Sequence, residues 1–443
     1  MKMQKNILYY SIVVAMAGFL FGFDTVVISG ANLPIKEAWN TTPWFHGTFI
    51  MSMALWGTVV GSLMGGIPCQ SIGRKNTLIW VGVLYFVSAL GSGLAPDPYS
   101  FSFFRFIGGL GVGASTVAAP TYISEISTAQ NRGKLVALYQ FNLVLGILVA
   151  FISNYLLKGF DGANDWRWML GVEAIPAAIY AVFVFSIPKS PRWLVLVKKD
   201  LKAAREVFTK IGVTNIDEEI EQINTPEPES EVKKSFLMKY KTPLILAFLI
   251  AFFNQLSGIN FVLYYAPEIL EIAGLASRES LYNSIAIGGI NLVFTMLGMV
   301  LIDKAGRKQL IVLGSIGYIA SLCMIAISFY FELGSVVLLC SILVFIASHA
   351  IGQGAVIWVF IAEIFPNNIR AYGQAFGTGT HWVFAALITL LGPVVIDYFK
   401  VSPWPIFAFF AFMMVLQLIF ALFYMPETKG KTLEELEAQL SDQ

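Results

Sequence analysis

The sequence predicts an all-α integral membrane protein with twelve transmembrane helices in two pseudo-symmetric six-helix bundles, and three observations carry that prediction. First, the 443 residues are 57% hydrophobic and only 13% charged. That is more apolar surface than a soluble core can hide, because a soluble domain needs a charged exterior. Second, the apolar residues fall into runs such as 7–28, 77–94 and 405–425, which approach or exceed the roughly 20 residues that span about 30 Å of hydrocarbon as a helix. Third, short motifs of the first half recur at matching places in the second.

In chain order the predicted spans are 7–30, 45–68, 77–95, 100–122, 134–157, 169–188, 242–270, 281–303, 309–331, 335–364, 372–396 and 404–425. The first contains Asp24 and is followed by no small-residue cleavage site, so it reads as a retained helix and the mature chain is expected to start near Met1. Residues 1–188 and 242–425 form the two bundles, 189–241 is a polar linker, and 426–443 is a tail. Within the linker, 201–211 has a helical pattern with its charges on one face, the mark of a solvated amphipathic helix.

A formal net charge of +1 conceals an asymmetry between alternate loops. With the N-terminus inside, Arg74, Lys75, Arg132, Lys134, Lys304, Arg307, Lys308, Arg370 and the basic residues of 189–241 share one side. The other side carries Lys36, Lys158, Arg167, Arg278 and Lys400. The positive-inside rule then makes both termini cytoplasmic. These basic residues are short flanks of spans and not a continuous face, which excludes a nucleic-acid partner. Cys69, Cys323 and Cys340 are odd in number and lie in or beside apolar runs, so they read as packing residues without a disulfide framework or metal set.

Gly73-Arg74-Lys75, after the second span, recurs as Gly306-Arg307-Lys308 after the eighth, 233 residues later. Glu125 and Arg132, after the fourth, recur as Glu363 and Arg370 after the tenth, seven residues apart in each case. Two echoes at nearly equal offset argue for duplicated units related by an axis along the membrane normal, with solute bound between them near the midplane.

This duplicated bundle with G-R-K loops resembles the major facilitator superfamily. Further residues narrow the resemblance: 22–25 (G-F-D-T) with 28–30 (I-S-G), Arg105 with the glycine-rich 108–113, 190–193 (S-P-R-W), 255–260 (Q-L-S-G-I-N), 358–363 and 426–428 (P-E-T). Within the superfamily the chain looks like a sugar porter of the bacterial proton-coupled monosaccharide symporter type. The resemblance spans nearly the whole chain, and the seventh-span run and the terminal P-E-T are its most specific parts.

Asp24 lies about eighteen residues into a span that starts inside, and Arg105 about six into one that starts outside. At 1.5 Å per residue both sit roughly 8 or 9 Å below the outer boundary. An intramembrane charge costs at least about 2.5–3.5 kcal/mol, so an Asp24–Arg105 pair is expected. The pair is either a structural clamp or a switch in which protonation of Asp24 frees the arginine. The resemblance implies the switch, since a carboxylate at this position marks proton symport and an amide marks facilitators.

A sugar presents a ring of hydroxyls, each donor and acceptor, and so needs amides that serve both directions and aromatic faces for its C–H surfaces. Gln140, Gln255, Asn260 and Asn291 lie in apolar spans and match sugar-contacting positions of the family. Trp358 and Trp382 offer aromatic walls, with Phe21, Tyr264 and Tyr265 as additions. Asn254 stands where the family usually has a glutamine, and His381 replaces a frequent amide. His381 reads either as a solute ligand or titrating group, or as a satisfied interhelical histidine. His349 has no assigned role, and His46 reads as a surface residue. Family analogy gives Glu125, Arg132, Glu173, Asp303, Arg307, Glu363 and Arg370 the part of inner salt bridges closing the outward-facing state.

The predicted function is proton-coupled symport of a hexose, pentose or related polyol by alternating access. It is assigned to a monomer in the bacterial inner membrane, with monosaccharide, protons and lipid as partners and no cofactor or metal. An uncoupled facilitator is the principal alternative, and a non-transporting sugar receptor, which normally carries a long signalling tail, is a further one. No nucleophile–base or phosphate-loop pattern suggests an enzyme, because the glycines of 108–113 lie inside a span, where they permit close helix packing. The acidic residue expected three before G-R-K is kept as Asp303 but is Gln70 in the first half, and Lys189 stands where a glutamate is expected. A weaker inner lock on the first half should shift the population inward. Gln70→Asp should therefore reduce cysteine-probe labelling of the inner gate, whereas unchanged labelling would count against the idea.

Overall fold

The computed structural model describes residues 5–128, 131–224, 240–366, 369–431, 435–436 and 439–440. Among these, twelve helices are long and apolar enough to cross a membrane. The first six are Lys5–Trp39, Pro43–Met64, Arg74–Leu94, Pro98–Ile126, Arg132–Leu157 and Gly162–Val184. The second six are Lys241–Ile272, Ser277–Ala305, Arg307–Tyr330, Ser335–Glu363, Tyr372–Phe399 and Trp404–Phe423. Each predicted span has its helix. The first runs nine residues further than expected, to Trp39 in place of residue 30, and the sixth begins seven earlier, at Gly162 in place of 169. Between the sixes lie two amphipathic helices, Leu201–Ile211 and Ile216–Asn224. The acidic Pro-Glu repeat of the linker, 226–229, falls outside the described residues.

Local chemistry sets the helix ends. Asp97 caps the fourth span, its Oδ1 accepting from the backbone N–H groups of Tyr99 and Ser100 at 2.9 and 3.1 Å, and Pro98 begins the helix. The Ser100 hydroxyl and these N–H groups hold the Asp97 carboxyl below the usual carboxylate range. Several spans are interrupted, the sixth at Val172 and Glu173 among them, and two interruptions lie in the second half of the chain. The seventh breaks at Ser257 and Gly258, where Gly258 takes φ 85° and a Cβ would lie 2.6 Å from the Phe410 ring. The tenth breaks at Gly352, whose Cα packs so closely on Gly314 that a Cβ would come within 3.0 Å of it.

The chain forms two compact units. One comprises Met1–Val27, Met53–Ala150 and Asn164–Glu229, and the other Ile28–Ser52, Phe151–Ala163 and Ser230–Gln443. Within the first, the second and fourth spans meet backbone to backbone. A Cβ on Gly109 would stand 1.9 Å from the Ala54 carbonyl oxygen, and one on Gly57 would stand 2.2 Å from that of Phe106. The first and fifth spans meet in the same way, with Gly22 against the Leu143 carbonyl and Gly146 against that of Phe19. In lipid, where no hydrophobic force drives helices together, such close approach is the main source of attraction.

In the second unit the end of the first span and the start of the second pack with the seventh and eleventh. Gly47 lies against the Leu390 carbonyl, and the Asn32 Nδ2 donates to Glu268 Oε2 at 2.7 Å. His46, expected at the surface, is instead fully buried. Its two ring nitrogens are each satisfied at 2.8 Å, by the Thr41 hydroxyl and by Asn32 Oδ1, which is why the ring turns inward at the mouth of its span.

A side chain at Gly109 has nowhere to go. Gly109→Val should lower stability by about 2 kcal/mol or more through the clash with Ala54. Gly66→Ala, at a glycine with no neighbouring atom within 4 Å, should change it by less than about 0.5 kcal/mol. Thermal unfolding in detergent compares the two, and equal melting points would contradict the packing account.

Candidate functional site

The centre of the first unit holds three charged side chains that are almost fully buried: Asp24 of the first span, Arg105 of the fourth and Glu173 of the sixth. Arg105 Nη1 donates to Asp24 Oδ1, and Nη2 donates to the Asp24 backbone carbonyl at 3.1 Å. Gly108, one helical turn beyond Arg105, packs closely on the third span, where a Cβ would lie 2.3 Å from the Ser88 hydroxyl. Glu173 lies near enough for its charge to act on both, and its Oε1 is buried with no hydrogen-bond partner among the described residues. One guanidinium, paired with Asp24, thus stands near two carboxyl groups. Fully ionised, the cluster carries a buried net charge of minus one, which is costly in hydrocarbon. One added proton makes it neutral.

Glu173 is one of the residues that family analogy assigned to the inner salt bridges, and the structure places it elsewhere. Its span enters on the same side as the fourth span, away from the G-R-K loops, and its carboxyl faces Asp24.

The second unit carries the amides. Asn254 and Gln255, at the end of the first piece of the seventh span, are buried, and Asn260 opens the second piece. The break at Gly258 puts these two ends beside each other. Asn260 Nδ2 donates to Gln255 Oε1 at 2.9 Å, and Gln255 Nε2 donates to Asn254 Oδ1 at 3.0 Å. Gln255 Nε2 also lies 3.1 Å from His381 Nε2. The other ring nitrogen, Nδ1, lies 3.3 Å from the same amide nitrogen. The His381 ring stands between two indoles, its centroid 4.8 Å from Trp358 and 4.9 Å from Trp382. Trp358 is partly exposed and Trp382 buried. These elements make an amide set walled by aromatic rings.

The other predicted ligands are less alike. Asn291 is buried and accepts from Thr295 at 3.3 Å. Tyr264 and Tyr265 are both buried, and the Tyr265 hydroxyl is committed to the Thr389 carbonyl at 2.6 Å. Phe21 and Gln140 belong to the first unit, Phe21 buried and Gln140 partly exposed. His349 hydrogen-bonds the Tyr318 hydroxyl.

The repeated loops have the same internal geometry in each unit. In the first, Gly73 takes φ 88°, Arg74 pairs with Glu125 at 2.8 Å and reaches the Cys69 carbonyl, and the Ser190 hydroxyl donates to Glu125 at 2.5 Å. In the second, Gly306 takes φ 96°, and Arg307 pairs with Glu363 at 2.7 Å and reaches the Ile302 carbonyl. There the Thr428 hydroxyl donates to Glu363 at 2.6 Å. The S-P-R-W and P-E-T motifs thus do the same work, each supplying a hydroxyl to the loop glutamate. Trp193 covers Gly73 as Glu427 covers Gly306. Asp303 adds a second carboxylate to Arg307, at 3.5 Å, which Gln70 cannot supply to Arg74. Among the described residues no ion pair involves Arg132 or Arg370, and Arg370 Nε donates to the Phe365 carbonyl at 3.3 Å.

Sequence reasoning passed over Asn32, Glu268, Gln353 and Gln417, all buried polar groups in apolar spans. The signal that singled out Gln140 and Gln255, an amide or acid within a membrane span, was present for each of them.

The model of the family described as "Sugar (and other) transporter" matches residues 10–440. The arabinose-proton symporter of Bacillus subtilis is 33% identical over 445 residues, covering 97% of this chain and 94% of that one. The glucose transport protein of Synechocystis is 33% identical over 458 residues, covering 98% and 97%. Among solved structures, a partially occluded inward open conformation of the xylose transporter XylE from E. coli superposes with a TM-score of 0.85 at 29% identity. It covers 97% of this chain and all of that one. The chain is accordingly a multi-pass membrane protein with the major facilitator fold, and it belongs to the sugar porters, the family of sugar (and other) transporters.

Proposed function

We propose that the protein is a proton-coupled symporter of a monosaccharide, a hexose or pentose, working by alternating access as a monomer in the bacterial plasma membrane with both termini cytoplasmic. The observation that carries the reading is the buried Asp24–Arg105 ion pair, with a second buried carboxyl group, Glu173, close by. Protonation of Asp24 weakens its hold on Arg105, and loss of the proton restores it, so proton occupancy and the packing of the first and fourth spans are linked. Any two states that differ in this packing bind the proton with different affinity, and the proton gradient then biases their exchange. Amides that donate and accept, set beside indole faces, suit a polyol ring, and the relatives named for arabinose and glucose support that chemical class. The sugar hydroxyls are assigned to Gln255, Asn260 and Asn291, and its C–H face to Trp358 and Trp382, all of the second unit. Asn254 and His381 tune which sugar fits.

Uptake of radiolabelled D-xylose, L-arabinose and D-glucose into proteoliposomes, with and without an inward proton gradient, tests the reading. Wild type should concentrate at least one of the three only when the gradient is present. Asp24→Asn should abolish concentration, by about tenfold or more, while keeping counterflow exchange of the same sugar. Gradient-independent equilibration in both proteins would make the chain a facilitator. Saturable binding without flux would make it a receptor.

A further inference from the structure

Behind the predicted sugar amides runs a line of buried polar groups with no assigned role. Gln353 is the first residue after the break in the tenth span, Gln417 lies in the twelfth, and Ser315 lies in the ninth. All three are at most 1% exposed. Gln417 Nε2 donates to Ser315 Oγ at 2.8 Å, and Gln353 Nε2 donates to Gln417 Oε1 at 2.8 Å. Asn254 Nδ2 reaches Gln353 Oε1 at 3.4 Å. From there the line continues through Gln255 to Asn260, as described above.

Every link has the same sense: the NH2 of one amide points to the carbonyl of the next, from Asn260 back to Gln417. The sense is set at the buried end. The Ser315 hydroxyl donates to the Ile311 carbonyl at 2.7 Å, so its lone pairs are what it offers to Gln417, which must present its NH2. Reversing the line would take the Ser315 proton from Ile311. A chain of hydrogen bonds aligned in this way polarises each member in the same direction. At the open end Asn260, partly exposed, has one N–H committed to Gln255, and its Oδ1 takes no hydrogen bond from the described residues.

We propose that Ser315, Gln417 and Gln353 are positioning residues that orient the amides of Asn254, Gln255 and Asn260, so that Asn260 meets the solute as a hydrogen-bond acceptor and selects a hydroxyl that donates. The proposal rests on the sugar-binding reading above. The gap at Gly352 against Gly314 serves it, because it breaks the tenth span and places Gln353 between the seventh and twelfth.

A fluorine in place of a hydroxyl keeps a weak acceptor but loses the donor, whereas a hydrogen loses both. The test measures binding of D-glucose and D-xylose and of their monodeoxy and monodeoxyfluoro analogues, by tryptophan fluorescence or competition. The position facing Asn260 is the one whose penalty disappears in Asn260→Ala. There, wild type should bind the fluoro and deoxy analogues equally weakly, each about tenfold below the parent sugar. Ser315→Ala, which frees the line to reverse, should bind the fluoro analogue severalfold better than the deoxy one, and Ser315→Thr should restore the wild-type pattern. A fluoro analogue that already outbinds the deoxy one in wild type, or a Ser315→Ala ratio equal to wild type, would overturn the proposal. Should neither sugar bind wild type, the sugar reading fails, and melting of the unliganded protein still decides the relay. Ser315→Ala and Asn260→Ala sit at opposite ends of the line. Their double variant should lose clearly less stability than the two single losses added, and simple additivity would contradict the relay.

Discussion

Placing two carboxyl groups and one guanidinium inside the first unit, away from water, is the constraint on which the rest of the structure depends. Asp24, Arg105 and Glu173 are each about 2% exposed. A bilayer core offers no solvent to share an excess charge, so the cluster is held either by a proton or by a rearrangement of the helices that carry it. Those helices are the first, fourth and sixth spans, and the glycines of the first and fourth let their backbones approach neighbours closely. Close backbone packing makes such helices move as rigid pieces rather than deform.

The second unit obeys the same rule with neutral groups. Its amides have no water to satisfy them, so they satisfy one another in a continuous line from Asn260 to Ser315. Breaks in two spans, at Gly258 and Gly352, bring the amides into line. Helix interruption is tolerated in lipid only where protein re-satisfies the backbone, and both breaks lie among buried residues. The loop motifs complete the picture. In each unit an arginine, a glutamate and a hydroxyl from the closing segment form one hydrogen-bonded set, the structural counterpart of the duplicated G-R-K sequence.

Hydropathy made the twelve spans legible, because a helix that crosses lipid has to be apolar for nearly its whole length. The Asp24–Arg105 pair was legible from depth alone, since two charges at one level in hydrocarbon have few other partners. Glu173 was not. Family analogy alone assigned it to the inner salt bridges, and its depth in the sixth span was not compared with that of Asp24. His46 was misread because its partners, Asn32 and Thr41, come from the end of the first span and the turn after it, and nothing in the local pattern shows that the ring folds back on them. The amide relay was hidden for the same reason. Gln353 and Gln417 are single polar residues 64 positions apart, and only the fold joins them.

The most direct measurement of the central claim is the pH dependence of sugar-driven currents on solid-supported membranes, for wild type and Glu173→Gln, using whichever of D-xylose, L-arabinose and D-glucose is transported best. If the two carboxyl groups of the cluster share one proton, replacement of Glu173 by an amide leaves an Asp24–Arg105 pair that is neutral without it. The pH at which the current falls to half should then move down by about one unit or more. An unchanged midpoint, or one moved to higher pH, would contradict the account of the cluster as a shared proton site.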